Sequence, residues 1–268
     1  MAGRLAIIAC GGALPVQIAA AHPDAVRITL EGIPSALEDN SERHRLEKIG
    51  GLFEALRGHG VGRVVFAGAL SRPAIDPAEC DAEMLSIAPR VMAALSRGDD
   101  ALLRQVMDIF EDRGFAVVAA HSLVPDLVAE AGHLAGPAMG EADGQDALRG
   151  AEILSQLSAL DIGQGCVVAG GLCLGIETVQ GTDALLRFVA DTPAHLRRGA
   201  KGVLIKAPKH GQDLRVDMPA SGPQTVAGAA RAGLAGVVVA AGGVMILDRG
   251  ATLQAFEDAG LFLMAQAM

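Results

Sequence analysis

Short apolar runs alternate with helical patterns through the first half of the chain. The runs predict buried strands at Leu5–Ala9, Val26–Leu30, Val64–Ala67 and Phe115–Ala119. The segments between them carry apolar residues at helical spacing and predict helices at Val16–Ala21, Leu46–Gly58, Glu83–Leu95 and Ala101–Arg113. Strands that alternate with helices predict a Rossmann-like α/β domain, with a parallel sheet covered by helices on both faces.

The pattern changes after a stretch without periodicity that is rich in Gly and Pro. This stretch predicts a linker at 133–144, which separates a Rossmann-like N-terminal domain (1–132) from a C-terminal domain (145–268). In the second domain Gly170 and Gly171 sit between two apolar runs, which is typical of a tight β-hairpin. Helices are predicted at Gln145–Leu160, Ala184–Val189, Val226–Ala232 and Ala251–Ala259. Hairpins mixed with helices predict an α+β fold of unusual topology for this half.

Composition excludes two classes of protein. Trp and Tyr are absent and the formal net charge is −9, so neither base stacking nor phosphate-backbone attraction favours nucleic acid as a partner. No apolar run reaches the roughly 18 residues that a membrane-spanning helix needs.

The cysteines indicate a reducing compartment. The four show no CxxC spacing, and Cys10, Cys166 and Cys173 lie in strand-like apolar stretches, which predicts that they are buried as small hydrophobic residues. The N-terminus lacks the long apolar region of a signal peptide. A cytoplasmic location is therefore expected.

A glycine-rich loop follows the first predicted strand. Gly11, Gly12 and Ala13 precede a helix, where backbone N–H groups favour a phosphate or a sugar. The loop reads GGALP and not GxGxxG, so a tight turn that simply needs glycine is an equal alternative. Arg72 and Asp100 lie in other loops of this domain and are expected at the same edge of the sheet.

The densest chemistry lies in Lys201–Thr225, where a predicted strand runs into a loop made rigid by Pro and Gly. Its cations are suited to neutralising phosphate oxygens: Lys206, Lys209 and Arg215. Asp213 and Asp217 are suited to holding Mg²⁺ together with substrate phosphates. The pattern predicts phosphoryl-group chemistry, and a solvated hairpin with surface ion pairs is the alternative.

Glu177, Thr182 and Asp183 form a second polar cluster after a predicted strand. Thr182 and Asp183 stand at the start of a predicted helix, where each is either a helix cap or a ligand-binding residue. His121 and His210 are candidate acids or bases. No GxSxG, HExxH or P-loop GKS/T motif and no Ser-His-Asp spacing stands out in the sequence.

Several of these segments together resemble a known bacterial family. They are GGALP, RGDDALLR, AHSLVPDL, GTDALLRFVA and KAPKHGQDLRVDMPASGPQTV. In this order they resemble the LpxI-type UDP-2,3-diacylglucosamine pyrophosphatases of lipid A biosynthesis. The resemblance implies Mg²⁺-dependent hydrolysis of the substrate diphosphate to UMP and 2,3-diacylglucosamine 1-phosphate. It also implies a cytoplasmic homodimer in contact with the inner membrane surface.

The predicted site combines both lines of reasoning. Asp213 and Asp217 are predicted as catalytic residues and Mg²⁺ ligands. Substrate binding is predicted for Gly11, Gly12, Ala13, Arg72, Asp100, Thr182, Asp183, Lys206, Lys209, Gln212, Arg215 and Thr225. Two alternatives stay open: an NAD-type oxidoreductase, for which Glu31 is the only acid at the end of the second strand, and a nucleotide-sugar binding protein without turnover.

Overall fold

A computed structural model describes residues 3–70 and 74–268, without the side chain of Asp99. Arg72, predicted to bind substrate, lies outside the described residues. The chain forms two compact units. The first runs to Pro125 and includes Asp213–Asp217, and the second comprises Asp126–Gln212 and Met218–Met268.

The first unit is a parallel α/β unit, as predicted. Its elements are β1 (Arg4–Ala9), α1 (Leu14–Ala21), β2 (Val26–Leu30), β3 (Glu42–His44), α2 (Ile49–Gly58), β4 (Val61–Ala67), α3 (Ala82–Leu95), α4 (Asp99–Glu111), β5 (Ala116–Val117) and α5 (Ala120–Leu123). The strand order is β3-β2-β1-β4-β5, and every neighbouring pair is parallel. This arrangement confirms the Rossmann-like expectation.

The core of this unit explains why the apolar runs become strands. Ala6, Ile8, Ile28 and Val64 are buried at the centre of the sheet, as expected for strands covered on both faces. β5 is shorter than the predicted Phe115–Ala119 run because it is the edge strand and pairs with β4 over two residues only.

The second unit contains a mixed sheet. Its elements are β6 (Gly132–Ala135), α6 (Glu141–Ser158), β7 (Gly165–Ala169), β8 (Leu172–Ile176), α7 (Gly181–Ala190), β9 (Val203–Lys206), β10 (Ala220–Ser221), α8 (Pro223–Arg231), β11 (Gly236–Ala240), β12 (Met245–Ile246), α9 (Arg249–Ala259) and β13 (Phe262–Gln266). The six-stranded sheet has the order β6-β13-β11-β9-β7-β8. Strands β9, β11 and β13 are parallel, and β6, β7 and β8 pair antiparallel with their neighbours. Strands β10 and β12 form a separate parallel pair.

Two expectations for this half need correction. Part of the predicted linker is ordered structure, because residues 132–135 form β6 against β13. Cys173 is exposed and not buried, because it lies on β8 at the edge of the sheet. Cys10 and Cys166 are buried as predicted, and burial raises the pKa of the Cys10 thiol to about 11.

The predicted Gly170–Gly171 hairpin is present and is held by a buried carboxylate. Both glycines have positive φ, 55° and 77°, which is the requirement of a type I′ turn. Asp146 of α6 is only 3% exposed and accepts hydrogen bonds from both glycine N–H groups, at 2.9 and 2.7 Å. The carboxylate therefore ties the hairpin to the helix that covers the sheet.

Replacing Asp146 with alanine should destabilise the protein by about 1–3 kcal/mol, because two hydrogen bonds to a buried carboxylate are lost. Denaturant unfolding followed by far-UV circular dichroism measures the change. The matched control is Glu152→Ala on the same helix, which removes an exposed ion pair with Arg149. Its free energy of unfolding should stay within about 0.5 kcal/mol of wild type. Equal effects of the two substitutions would show that the Asp146 contact does not stabilise the hairpin.

Candidate functional site

The charged segment is divided between the two units. Residues up to Gln212 pack with the second unit, Asp213–Asp217 pack with the first, and the chain returns to the second at Met218. The division has a packing cause, because Val216 lies against the apolar core of the first unit.

In the first unit, Asp213 and Arg215 form a close ion pair. Arg215 donates from Nε to Oδ1 at 3.0 Å and from Nη2 to Oδ2 at 2.7 Å. The backbone N–H of Arg215 donates to Oδ1 as well, at 3.0 Å. Arg215 Nη1 reaches a second carboxylate, Glu111 Oε1 in the last residue of α4, at 2.8 Å. The guanidinium group is thus shared between two carboxylates.

These contacts keep Asp213 ionised. The pKa of the Asp213 carboxyl is lowered, chiefly by the hydrogen bonds from the Arg215 side chain, with further contributions from Arg215 and Arg104 as charges. The same pairing raises the pKa of the Arg215 guanidinium. An ionised carboxylate can orient a water molecule or a cation near neutral pH, whereas it cannot donate a proton as a general acid.

Replacing Arg215 with methionine should move the pKa of Asp213 upward, toward the ordinary aspartate value of about 4. Because the native pKa is depressed, the pair stabilises the fold above the unfolded-state pKa, and that stabilisation is lost as the pH falls through the native pKa. Carboxyl ¹³C NMR titration between about pH 2 and 6 measures the shift directly. Glu111→Gln, which leaves the Asp213–Arg215 contact in place, serves as the control. A wild-type Asp213 midpoint at or above the ordinary value would contradict the assignment.

The glycine-rich loop of the first unit is bonded to a neighbouring loop. The N–H of Gly11 donates to the carbonyl of Ala69 at 3.0 Å, and the N–H of Ala69 donates to the carbonyl of Gly11 at 2.9 Å. Gly12 is exposed with φ of +92°, which favours glycine whatever binds there. For Gly11 these contacts favour the tight-turn interpretation, because its N–H already has an acceptor.

Two other polar residues of this unit lie near helix starts. Asp100, in the first turn of α4, pairs with Arg104 at 2.9 Å. His121 lies in α5, and its buried Nδ1 has no hydrogen-bond partner among the described residues. Ala13 takes the N-cap position of α1. None of these contacts assigns a ligand.

In the second unit, Lys206 lies at the centre of a buried polar group. Its Nζ donates to Thr182 Oγ1 at 2.7 Å and to the carbonyl of Ala220 at 3.0 Å. The Thr182 hydroxyl in turn donates to Glu177 Oε2 at 2.9 Å, and Nζ lies 4.0 Å from the same oxygen. Lys206 is 5% exposed and Glu177 is 9% exposed. A hydroxyl thus bridges a buried ion pair.

This group corrects the predicted helix cap. Helix α7 begins at Gly181, so Thr182 and Asp183 lie within its first turn, and Gln180 takes the N-cap position without a side-chain cap. The reason is that the Thr182 hydroxyl is engaged by Glu177 and Lys206. Asp183 is exposed.

The loop that follows Lys206 is tied to the end of α6. Lys209 pairs with Asp161 through their charged groups, and the backbone N–H of His210 donates to the Ser158 hydroxyl. Gln212 Oε1 accepts from the Lys209 N–H at 2.8 Å. Thr225 is buried in the first turn of α8. Lys206, Lys209 and Arg215 therefore all form ion pairs with carboxylates. Ion pairing was part of the alternative interpretation of this segment as a solvated hairpin, but the backbone does not form a hairpin.

A ready-made metal site is not among these groups. The described part of the chain holds no cluster of three or more His, Cys, Asp or Glu side chains placed to bind a metal ion. Both carboxylate oxygens of Asp213 accept hydrogen bonds from Arg215. These residues do not fit a preformed Mg²⁺ site, so any Mg²⁺ would need ligands supplied by a substrate, and no chemical step is assigned to it.

Sequence reasoning missed Glu111 and the importance of Glu177. Glu111 lies on the polar face of an amphipathic helix, and its partner is 104 residues away in sequence. The sequence shows Glu177 only as one member of a polar cluster with Thr182 and Asp183. Burial of its carboxylate beside Lys206 and Thr182 is the signal that identifies it, and burial is visible only in the folded chain.

The fold defines a two-domain protein, with one Rossmann-like unit and one mixed-sheet unit. Its paired cations and carboxylates are groups suited to a phosphate-bearing ligand. Residues 4–127 match the family model described as the LpxI N-terminal domain, and residues 130–264 match the LpxI C-terminal domain. The chain is 40% identical over 270 residues to "UDP-2,3-diacylglucosamine pyrophosphatase LpxI" of Caulobacter vibrioides, covering 97% of this chain and 96% of that protein. The chain therefore belongs to the LpxI family, as the sequence resemblance predicted.

Proposed function

We propose that this protein hydrolyses the diphosphate of UDP-2,3-diacylglucosamine in lipid A biosynthesis. The observation that carries the proposal is the 40% identity, over nearly the full length of both chains, to a relative named for that activity. Water adds to one phosphorus and the bridging P–O bond breaks. The products are UMP and 2,3-diacylglucosamine 1-phosphate, each retaining one phosphate group.

Several residues of the charged segment suit this chemistry. We propose that ionised Asp213, with Asp217, orients the attacking water. Lys209 and Arg215 are proposed to neutralise the phosphate oxygens, with the substrate replacing Asp161 or Glu111 as their partner. Hydrolysis of a phosphoric anhydride depends mainly on such positioning and charge stabilisation. Gln212 and Thr225 belong to the same proposal as substrate contacts, together with Gly12, Ala13, Asp100 and Asp183. Thr182 and Lys206, which are hydrogen-bonded to each other, are given a positioning role instead.

A requirement for Mg²⁺ is also proposed. Mg²⁺ is commonly held by one or two carboxylates together with substrate phosphates, so a diphosphate can bring most of its ligands. Chelation by EDTA should then abolish turnover, and added Mg²⁺ should restore it. Full activity after exhaustive chelation would remove Mg²⁺ from the proposal while leaving the hydrolysis itself intact.

Membrane contact and self-association complete the proposal. Among the described residues, no helix has the length and apolar character needed to cross a bilayer. A substrate with two acyl chains nevertheless favours work at a membrane surface, since each buried methylene contributes about 0.8 kcal/mol. Flotation with liposomes that contain the substrate tests contact with the inner membrane lipid, and light scattering tests the homodimer.

The experiment for the function itself is release of UMP from UDP-2,3-diacylglucosamine, followed by chromatography. Release that depends on the protein is the expected result. The oxidoreductase alternative predicts no UMP and a change in absorbance with NAD(H). The binding-protein alternative predicts substrate affinity without UMP. Family membership favours the first outcome, and Glu31, the residue the oxidoreductase would need, is exposed and lies 3.5 Å from Arg45.

A further inference from the structure

Glu177 occupies a place built around its carboxylate. It follows β8, and its backbone N–H donates to the carbonyl of Gly165 at 2.7 Å. A Cβ on Gly165 would lie 2.6 Å from Glu177 Oε2, so only glycine leaves room for this oxygen. Gly163, with φ of +61°, likewise approaches the Glu177 backbone too closely for a side chain. Two glycines thus accommodate one buried acid.

Lys206, the partner of Glu177, links the two ends of the charged loop 207–219. Lys206 is the last residue of β9, and Ala220 is the first residue of β10. The hydrogen bond from Lys206 Nζ to the Ala220 carbonyl therefore joins the two ends of residues 207–219. That loop carries Lys209, Asp213 and Arg215.

Burial favours this role for Lys206 over direct contact with substrate. The residue is only 5% exposed, and its ammonium group donates to Thr182 and Ala220 within the protein. A phosphate oxygen could reach so buried a group only if the surrounding residues moved. Holding the loop requires no rearrangement.

We propose that Glu177 is a positioning residue for the hydrolysis. It acts through the Thr182 hydroxyl and Lys206 to keep the two ends of loop 207–219 together, so that the loop residues of the second unit, Lys209 among them, are held in one arrangement. This inference rests on the proposed function for its kinetic part. Its structural part, the order of the loop, stands independently.

Thr182→Val tests the proposal with the smallest change in shape, and Thr182→Ser is its matched control because the hydroxyl is kept. Hydrogen–deuterium exchange of peptides covering 207–219 should rise about tenfold in Thr182→Val and stay near wild type in Thr182→Ser. The kcat for UDP-2,3-diacylglucosamine should fall about 10- to 100-fold in Thr182→Val with a smaller change in KM, because misplaced groups lose the reacting geometry. Glu177→Gln should behave in the same way.

Gly165→Ala adds an independent arm. The substitution removes no polar group but displaces the Glu177 carboxylate. It should therefore raise hydrogen–deuterium exchange in 207–219 and lower kcat as Glu177→Gln does. Asp146→Asn, which weakens the Gly170–Gly171 hairpin, controls for general loss of stability and should leave exchange in 207–219 unchanged.

Two results would overturn the proposal: unchanged loop exchange in folded Thr182→Val, or Thr182→Ser behaving like Thr182→Val. If Thr182→Val does not fold, Glu177→Gln and Gly165→Ala decide by the same exchange measurement. If wild-type protein shows no turnover, the proposed function fails, while the exchange comparison still decides whether Glu177 holds the loop.

Discussion

Asp213→Ala should reduce UMP release by about 10²–10³-fold or more, while the protein stays folded and still binds its substrate. The reason is that the proposed role places an ionised carboxylate at the reacting group, where preorganised charges contribute most to the rate. The depressed pKa of Asp213 and its fixed hydrogen bonds to Arg215 support such a role. Steady-state kinetics, substrate binding by calorimetry and far-UV circular dichroism together measure the outcome.

Two controls separate chemistry from structure in this experiment. Asp213→Asn keeps the size of the side chain and removes its charge, so it should be nearly as inactive. Asp258→Ala removes an exposed acid of α9 that bonds to Gln254, and it should leave activity unchanged. Near-wild-type activity in Asp213→Ala would reject the catalytic assignment.

Lys206→Met should lower the free energy of unfolding by about 3–5 kcal/mol, because it leaves the Glu177 carboxylate buried without its cation. The pair is 4.0 Å apart, with side chains only 6% and 11% exposed. The chain contains no Trp or Tyr, so denaturant unfolding is best followed by far-UV circular dichroism. Lys201→Met, at an exposed position in the same segment, is the matched control and should change stability by less than about 0.5 kcal/mol.

The double variant Lys206→Met/Glu177→Gln identifies the cause. Glu177→Gln removes the negative charge that Lys206→Met leaves buried without a partner. The double variant should therefore regain part of the free energy of unfolding that Lys206→Met loses. Strictly additive losses in the double variant would show that Lys206 stabilises the fold by other means than pairing with Glu177.

The sequence predicted most of the regular structure because the deciding signals are local. The apolar run Val26–Leu30 is a buried strand with the predicted bounds. Gly170 and Gly171 form the predicted hairpin because their positive φ angles suit residues without a side chain. Strand β6 was missed, since the run from Gly132 to Ala135 is short and its pairing partner, β13, lies near the other end of the chain.

The arrangement of the polar residues was less accessible, because it depends on contacts between distant parts of the chain. Nothing local indicates that Arg215 meets Glu111, or that Lys206 donates to the Ala220 carbonyl at the far end of its own loop. The assignment of Thr182 as a possible cap failed for the same reason: its partners come from β9 and from the end of β8. The residue types were found from sequence, and their pairings were not.

Mass spectrometry of the products formed from UDP-2,3-diacylglucosamine is the most direct measurement. The proposed function predicts UMP and 2,3-diacylglucosamine 1-phosphate in equal amounts, formed by the wild-type protein and about 10²–10³-fold more slowly by Asp213→Ala. Release of UDP with the free diacyl sugar, which requires cleavage outside the diphosphate, or intact substrate after prolonged incubation with Mg²⁺, would contradict it.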